Sequence, residues 1–274
     1  MARIITKTQA VVLRTRRMGE TSKLVTLFSE GHGKLRVTAK GARRPKSKFG
    51  GSLEVTQEIH AVCYVRDDRD LHALSDAEPT RGHPVLLTDL RRLSYAAAAC
   101  EMIDRLTIEH EPNPRLYACI VGVLGGFEEV EPEQLESLFW YFQLRVAEAL
   151  GYRPELSSCA NCGDGLDPAA AYFSPNLGGG ICVTCSRDAA ASDEWGGEGD
   201  GWAQAMGATS RRVSGESLQM LAQLQAIRTY AKEVIPLLLA DQRGEVRGML
   251  RSFLEYHAGA NGRLRSLEFL ESIG

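Results

Sequence analysis

The chain has 274 residues, 44% of them hydrophobic and 24% charged, which is the make-up of a globular protein of about two domains and not of a disordered or fibrous one. No apolar run approaches the roughly 18 residues of a membrane helix, and Met1-Ala2-Arg3-Ile4-Ile5-Thr6-Lys7 lacks the apolar segment of a secretory signal, so a cytoplasmic protein with no membrane partner is expected. The net charge of −3 conceals a sharp segregation: residues 1–48 hold 13 Lys and Arg against Glu20 and Glu30, a net of +11, which leaves −14 on the other 226 residues. A basic block on an acidic protein is the footprint of a phosphate-binding surface.

Residues 1–80 read as β structure and as the first domain. Thr8 to Arg16, Ser22 to Ser29, Lys34 to Lys40, Leu53 to Val65 and Leu71 to Glu78 are five strand segments separated by turn residues. Five short strands in so few residues predict a small closed barrel, an OB-fold with an SH3-like barrel as competitor. In the third strand Leu35, Val37 and Ala39 alternate with Lys34, Arg36, Thr38 and Lys40, so period two turns three cations outward. Arg14 and Arg16 share one face of the first strand, with Arg17 beside them. The segment Gly41-Ala42-Arg43-Arg44-Pro45-Lys46-Ser47-Lys48 reads as a mobile basic loop with no apolar anchor. The candidate DNA-binding residues are therefore Arg14, Arg16, Arg17, Lys23, Lys34, Arg36, Lys40, Arg43, Arg44, Lys46 and Lys48, with Phe49 as the stacking ring.

From about residue 85 the period becomes helical. Leu86, Leu90, Leu93, Ala97, Cys100, Ile103 and Leu106 form one stripe. A second helix follows from about Arg115 to Leu124. A third starts after Pro132, carries Leu135, Leu138, Phe139, Phe142, Val146 and Leu150, and stops at Gly151. Residues 81–157 thus read as the first part of an α-helical domain and 213–274 as its second part, with Leu218, Leu221, Leu224 and Ile227 as the best later stripe.

Between them, 158–212 read as an inserted module. Cys159-Ala160-Asn161-Cys162 and Cys182-Val183-Thr184-Cys185 form a CxxC–x19–CxxC pair of knuckles. Four soft thiolates at this spacing select Zn2+, and a site with no open position is structural. The Gly/Asp/Ala-rich stretch 186–212 reads as a flexible insertion. Cys63, Cys100 and Cys119 are scattered among apolar residues, as buried thiols in a reducing compartment would be.

Catalytic patterns are missing. There is no GxxxxGK[ST] and no KxDG, the histidines are dispersed, and Asp67-Asp68-Arg69-Asp70 reads as a surface turn and not a metal-dependent nuclease centre. A zinc- and OB-containing DNA-processing enzyme, nuclease or ligase-like, is the alternative that these absences weigh against. With few rings, affinity should come mostly from phosphate neutralisation by about six to ten cations, indifferent to sequence and tolerant of single- and double-stranded DNA.

Three stretches resemble the bacterial RecO family of recombination mediators. They are Gly19-Glu20-x-Ser22-x-Leu24-Val25-Thr26-Leu27-Phe28-Ser29 with Gly33-Lys34-Leu35, then Lys40-Gly41-Ala42-Arg43-Arg44-x-Lys46-Ser47 with Gly51-x-Leu53-Glu54, and Tyr256-His257-x-Gly259 with Leu264-Arg265-Ser266-Leu267-Glu268-Phe269-Leu270. The resemblance implies an α+β protein made of an N-terminal OB-fold, a helical domain and a zinc module. It implies a nucleoid-associated, non-enzymatic role in DNA repair: annealing complementary strands and helping RecA load onto DNA coated by single-stranded-DNA-binding protein. It also implies RecR and the acidic C-terminal tail of that coating protein as partners. Arg243, Arg247 and Arg251, four residues apart on an expected helix, are the candidate rim for such a tail.

Overall fold

Alternating burial in the first 81 residues produces five strands, and in the computed structural model they close on themselves. That structure describes residues 4–65, 69–187, 210–230, 234–237, 242–259 and 262–273. The strands are β1 (Ile4–Met18), β2 (Ser22–Ser29), β3 (Gly33–Ala39), β4 (Glu58–Val65) and β5 (Leu71–Arg81). Their order around the barrel is β1-β2-β3-β5-β4, returning to β1, with a single parallel pairing between β3 and β5. This is the OB arrangement.

β1 is far longer than its alternation suggests because it serves two partners. Its first half pairs with β4, from Ile4 opposite Val65 to Val11 opposite Glu58. Its second half pairs with β2, from Ala10 opposite Ser29 to Met18 opposite Ser22. A bulge between Val12 and Arg14 bends the strand between these roles. The inward column is apolar: Ala10, Val12, Val25, Leu27, Leu35, Val37, Ala39, Ile59 and Ala61 form one buried cluster. At about 25 cal/mol per Å2 of apolar surface removed from water, such a cluster is the chief source of barrel stability.

Residues 53–57, expected to open the fourth strand, are turns instead. Thr56 takes φ +77° and donates its N–H to the Val12 carbonyl, while Thr15 Oγ1 donates to the Leu53 carbonyl at 2.6 Å. The chain is hooked onto β1 before β4 begins.

Helices α1 (Pro84–Thr88), α2 (Leu90–Leu106) and α3 (Pro114–Glu129) follow. Asp89 caps α2 by accepting from the Arg91 and Arg92 amides, and Asn113 caps α3 by accepting from Leu116. Burial along α2 is broader than the expected stripe: Tyr95, Ala96, Ala98, Ala99, Cys100, Met102 and Ile103 are buried, whereas Leu90 is exposed. The barrel, α3 and the terminal helix α7 (Arg265–Ile273) all pack on α2, so it buries more than one face. His83 ties the barrel to α3: its buried ring meets Glu58 of β4 at 2.9 Å and Glu128 at 3.5 Å. Helix α4 (Leu135–Ala149) buries Leu135, Leu138, Phe139, Phe142 and Val146 as its periodicity requires.

The cysteine region contains a three-stranded sheet ordered β7-β6-β8, with β6 (Ala171–Ser174), β7 (Gly179–Ile181) and β8 (Arg211–Val213). Then come α5 (Gly215–Ala226) and α6 (Gln242–Ala258). The Ser214 hydroxyl caps α5 by accepting from Ser217, and Glu245 of α6 accepts from both the Ser214 amide and its hydroxyl. By contact the chain falls into two units, Met1–Phe142 with Arg263–Gly274, and Gln143–Gly262. Most of the stretch expected to be a flexible insertion, 188–209, lies outside the described residues, as do Asp67 and Asp68. Among the described residues no helix is long and apolar enough to cross a membrane.

Candidate nucleic-acid interface and metal centre

Outward placement on a strand does not leave a cation free, and the basic block separates into three groups. The first is neutralised. Lys34 reaches the Asp104 carboxylate at 3.7 Å and donates to the Asp104 carbonyl at 2.7 Å, leaving its side chain only 13% exposed. Arg14 approaches the same carboxylate at 3.5 Å. Arg36 pairs with Glu109 at 2.7 Å, and Lys23 pairs with Glu54 at 2.8 Å. Asp104 and Glu109 lie at and just beyond the C-terminal end of α2, so this edge of the barrel faces the helices.

The second group anchors loops. Arg43 donates to the Gly19 and Glu20 carbonyls at 3.2 and 2.8 Å, and its own amide donates to the Thr21 carbonyl. These bonds bind the β3–β4 loop to the β1–β2 turn. Lys48 donates to the Ser75 carbonyl and lies 5.3 Å from the centroid of the Phe49 ring, a cation–π distance.

The third group is Arg16, Arg17, Lys40, Arg44 and Lys46, all exposed. Among the described residues no carboxylate pairs with any of them. Arg17 stands opposite Lys23 in the β1–β2 register, and Lys23 is already paired with Glu54. Lys40 and Arg44 line a shallow groove of about 550 Å3 together with Met18, Gly19, Thr21, Ser22, Thr38 and Gly41. The loop and the turn, twenty residues apart in sequence, form one rim.

Two expectations are corrected. Phe49 is not a stacking ring. It is 2% exposed and belongs to the barrel cluster with Ala42 and Leu53. Nor does the basic loop lack an anchor. Ala42 and Phe49 insert into the core, and successive bonds from Arg44 to Gly41, Ser47 to Arg44 and Gly50 to Ser47 make the segment a run of tight turns. The apolar residues flanking the cations pin the loop, which holds the charges in place.

The four cysteines converge in the second unit. The sulfurs of Cys159, Cys162, Cys182 and Cys185 all lie within 4.8 Å of one another. Metal–sulfur bonds of about 2.3 Å at tetrahedral angles place sulfurs about 3.8 Å apart, and Cys162 and Cys182 are 3.8 Å apart. Backbone geometry builds each knuckle. The Gly163 amide donates back to the Cys159 carbonyl at 2.8 Å, with Gly163 at φ +82°, a turn only glycine makes without strain. The Cys182 amide donates to the Cys159 sulfur at 3.3 Å and the Cys185 amide to the Cys182 sulfur at 3.5 Å. Burial raises the Cys159 thiol, but the amides of Cys162, Cys182 and Asn161 outweigh it and bring it down to about 6. A thiolate is the form a metal binds. Within the same cluster Cys162 moves the other way, up to about 12: the Asp164 amide lowers it, but bonding to the Cys159 sulfur and burial outweigh that amide. Burial pushes Cys63 and Cys100 up to about 12, and these two lie apart from the cluster in apolar surroundings. Cysteine spacing alone points to neither Gly163 nor the amide bonds, although a glycine directly after CxxC is a visible signal.

The candidate partner rim lies on α6 in the same unit. Arg247 and Arg251 are exposed and Arg243 is half-buried. Arg251 is held by Glu255 four residues on, at 2.8 Å, which removes part of the positive row.

Comparison with known proteins agrees with this architecture. Residues 1–83 match the family model described as recombination protein O N terminal, and residues 87–268 match recombination protein O C terminal. The chain belongs to the recombination protein O family. Several proteins named DNA repair protein RecO resemble it over nearly their whole length. The protein from Pelotomaculum thermopropionicum is 31% identical over 98% of this chain and 94% of its own. That from Anaeromyxobacter sp. strain Fw109-5 is 30% identical over 98% and 96%, and that from Pelobacter propionicus is 32% identical over 97% and 96%. Recombination protein O membership gives the chain a role in DNA repair.

Proposed function

We propose that this protein is a recombination mediator that binds single- and double-stranded DNA through the barrel rim and anneals complementary strands. The observation that carries this reading is a set of exposed cations, Arg16, Arg17, Lys40, Arg44 and Lys46, that no carboxylate pairs with among the described residues, and of which Lys40 and Arg44 line one groove. Such a rim reads phosphates and not bases, so it tolerates any sequence and can hold two strands close enough to pair. Within a repair pathway, this activity is that of a factor that handles DNA coated by single-stranded-DNA-binding protein and helps RecA replace the coat. RecR and the acidic tail of the coating protein are the expected partners, with Arg243, Arg247 and Arg251 as the candidate tail rim. Nothing in this role needs a nucleophile or a catalytic metal.

The decisive experiment is annealing of complementary oligonucleotides, with and without the coating protein, across a salt series. Five phosphate contacts give a slope of about −4.5 in log K against log salt on duplex DNA, or roughly a 500-fold loss between 50 and 200 mM. A flat salt response, or cleavage or joining of labelled DNA with Mg2+ and ATP, would overturn the assignment.

In the second unit the metal has a structural role. Cys159, Cys162, Cys182 and Cys185 would hold one Zn2+, which supplies the cross-link that so small a core lacks, worth roughly 10–16 kcal/mol apparent in such sites. Metal analysis should find zinc lost on combined Cys159→Ser and Cys182→Ser substitution.

A further inference from the structure

Sulfur is not the only ligand chemistry the fold brings together. His72, on β5, and His110, in the segment after α2, lie 38 residues apart in sequence, yet their Nε2 atoms are 3.4 Å apart. Their rings meet edge to face, with centroids 5.0 Å apart. We propose that His72 and His110 form a second metal site, for a divalent transition ion that favours imidazole nitrogen, such as Ni2+ or Zn2+, clipping residues 107–111 to the end of the barrel.

The separation favours a metal over a direct hydrogen bond. Nitrogens bound at about 2.0–2.1 Å with tetrahedral angles lie about 3.3–3.4 Å apart. N–H···O hydrogen bonds settle at about 2.9–3.0 Å, and 3.4 Å is long for a direct bond between the two rings. Imidazole is also a ligand that suits both Zn2+ and Ni2+.

Both rings are held from outside the pair. His72 is 4% exposed and shares the inward parity of Leu74, so it ends the barrel's interior column. His110 is exposed but fixed through its backbone. Its amide donates to the Lys34 carbonyl at 3.0 Å, Glu109 bridges Lys34 in parallel and pairs with Arg36, and Gly33 packs against the Glu111 carbonyl so closely that a Cβ would sit 2.1 Å from that oxygen. Here the β3–β5 pairing has ended, since it spans only Arg36 to Thr38. Residues 109–110 occupy the vacated edge.

His110 also has φ +64°, a left-handed conformation that a β-carbon disfavours. Strain retained in an anchored segment is characteristic of ligand clamps. Solvent reaches His110, so water completes the coordination sphere. Two imidazoles and water make a clip of modest affinity that couples the barrel's end to the helix carrying Asp104.

The test uses the full chain with its cysteine site first saturated with Zn2+, then titrated with Ni2+ by calorimetry and thermal melting. One further equivalent should bind, and the melting temperature should rise with Ni2+. His110→Gly is the informative variant, because glycine accepts the positive φ and the apo fold is kept. It should melt no lower than the parent without Ni2+, lose the extra equivalent and lose the Ni2+-dependent rise. His72→Gln should lose the same equivalent. Combined Cys159→Ser and Cys182→Ser should retain it, which separates this site from the thiolate one. Absence of a further equivalent in the parent, or Ni2+ binding unchanged in His110→Gly, overturns the proposal. DNA binding by the barrel rim stands or falls independently of either result.

Discussion

Lys34, near the start of β3, and Lys40, just past its end, lie on the same outward side of the strand and do different jobs. Lys34 is drawn against α2, with its ammonium on the Asp104 carboxylate and carbonyl. Lys40 stands exposed on a groove beside Arg44. Arg14 and Arg16 repeat the contrast on β1: the first reaches Asp104, and the second is exposed without a carboxylate partner among the described residues. A cation's role in this barrel depends on which edge it occupies. The edge toward the helices uses charge to hold the barrel to α2. Away from that edge Lys23 is paired with Glu54, while Arg16, Arg17, Lys40, Arg44 and Lys46 have no carboxylate partner among the described residues, and self-repulsion among such cations is a standing cost.

The sharpest way to separate structural residues from ligand-facing ones is Phe49. Truncating a buried ring costs about 3–5 kcal/mol, so Phe49→Ala should lower the denaturation midpoint more than substitution of any rim cation. Phe49→Leu should recover much of that stability and bind DNA within about twofold of the parent. A Leu variant as stable as the parent but markedly weaker on single strands would return Phe49 to the role of a stacking ring.

Next in size is the rim itself. Reversing Lys40, Arg44 and Lys46 together to Glu should weaken DNA binding by about a hundredfold or more at low salt, roughly 2.7 kcal/mol. It should also flatten the log K against log salt slope by about 2.7 on duplex DNA. Unfolding should move by no more than about 0.5 kcal/mol, because exposed substitutions away from packed features rarely do more. Fluorescence anisotropy and thermal melting on the same sample check both halves.

The two edges also mark how far a sequence can be read. β2 is legible to the residue, Ser22–Ser29, because its composition and its flanking glycine turns agree. The inward set of β3, the buried face of α4 and the cysteine spacing follow from periodicity and ligand chemistry. What could not be read is long-range. Nothing near Lys34 announces that its counter-ion lies 70 residues on, at Asp104. Phe49 lies between basic residues and glycines, so neither period two nor period 3.6 reveals that it points inward. The span of β1 exceeds its own alternation because β4, half a barrel later, pairs with its first eight residues. The packing of α7 on α2 joins segments more than 150 residues apart, through Arg105 donating to the Arg263 carbonyl at 2.9 Å. Charge counting singles out the barrel as the basic part of the chain, and only the folded chain sorts its cations.

The helix-facing edge offers a smaller effect of the opposite kind. Lys34→Ala should cost about 1–3 kcal/mol, since a partly buried carboxylate and carbonyl lose their donor. DNA affinity should stay within about twofold. A large affinity loss with unchanged stability would place Lys34 on the DNA and dissolve the distinction between the edges.

The smallest change tests the sign of the charge effect. Arg36 is 44% exposed and pairs with Glu109 at 2.7 Å, so the pair contributes under about 1 kcal/mol to stability. Glu109→Gln keeps the shape of the side chain and the backbone bridge to Lys34 while removing the negative charge. If pairing is what withholds Arg36 from phosphates, this variant should bind DNA a few-fold more tightly, with a salt slope steeper by up to about 0.9. Arg36→Gln should leave both unchanged, because a cation already neutralised contributes little to counterion release. If Arg36 contacted phosphate in the parent despite its partner, Arg36→Gln would weaken binding and flatten the slope, and the acidic residues beside α2 would no longer define the boundary of the DNA surface.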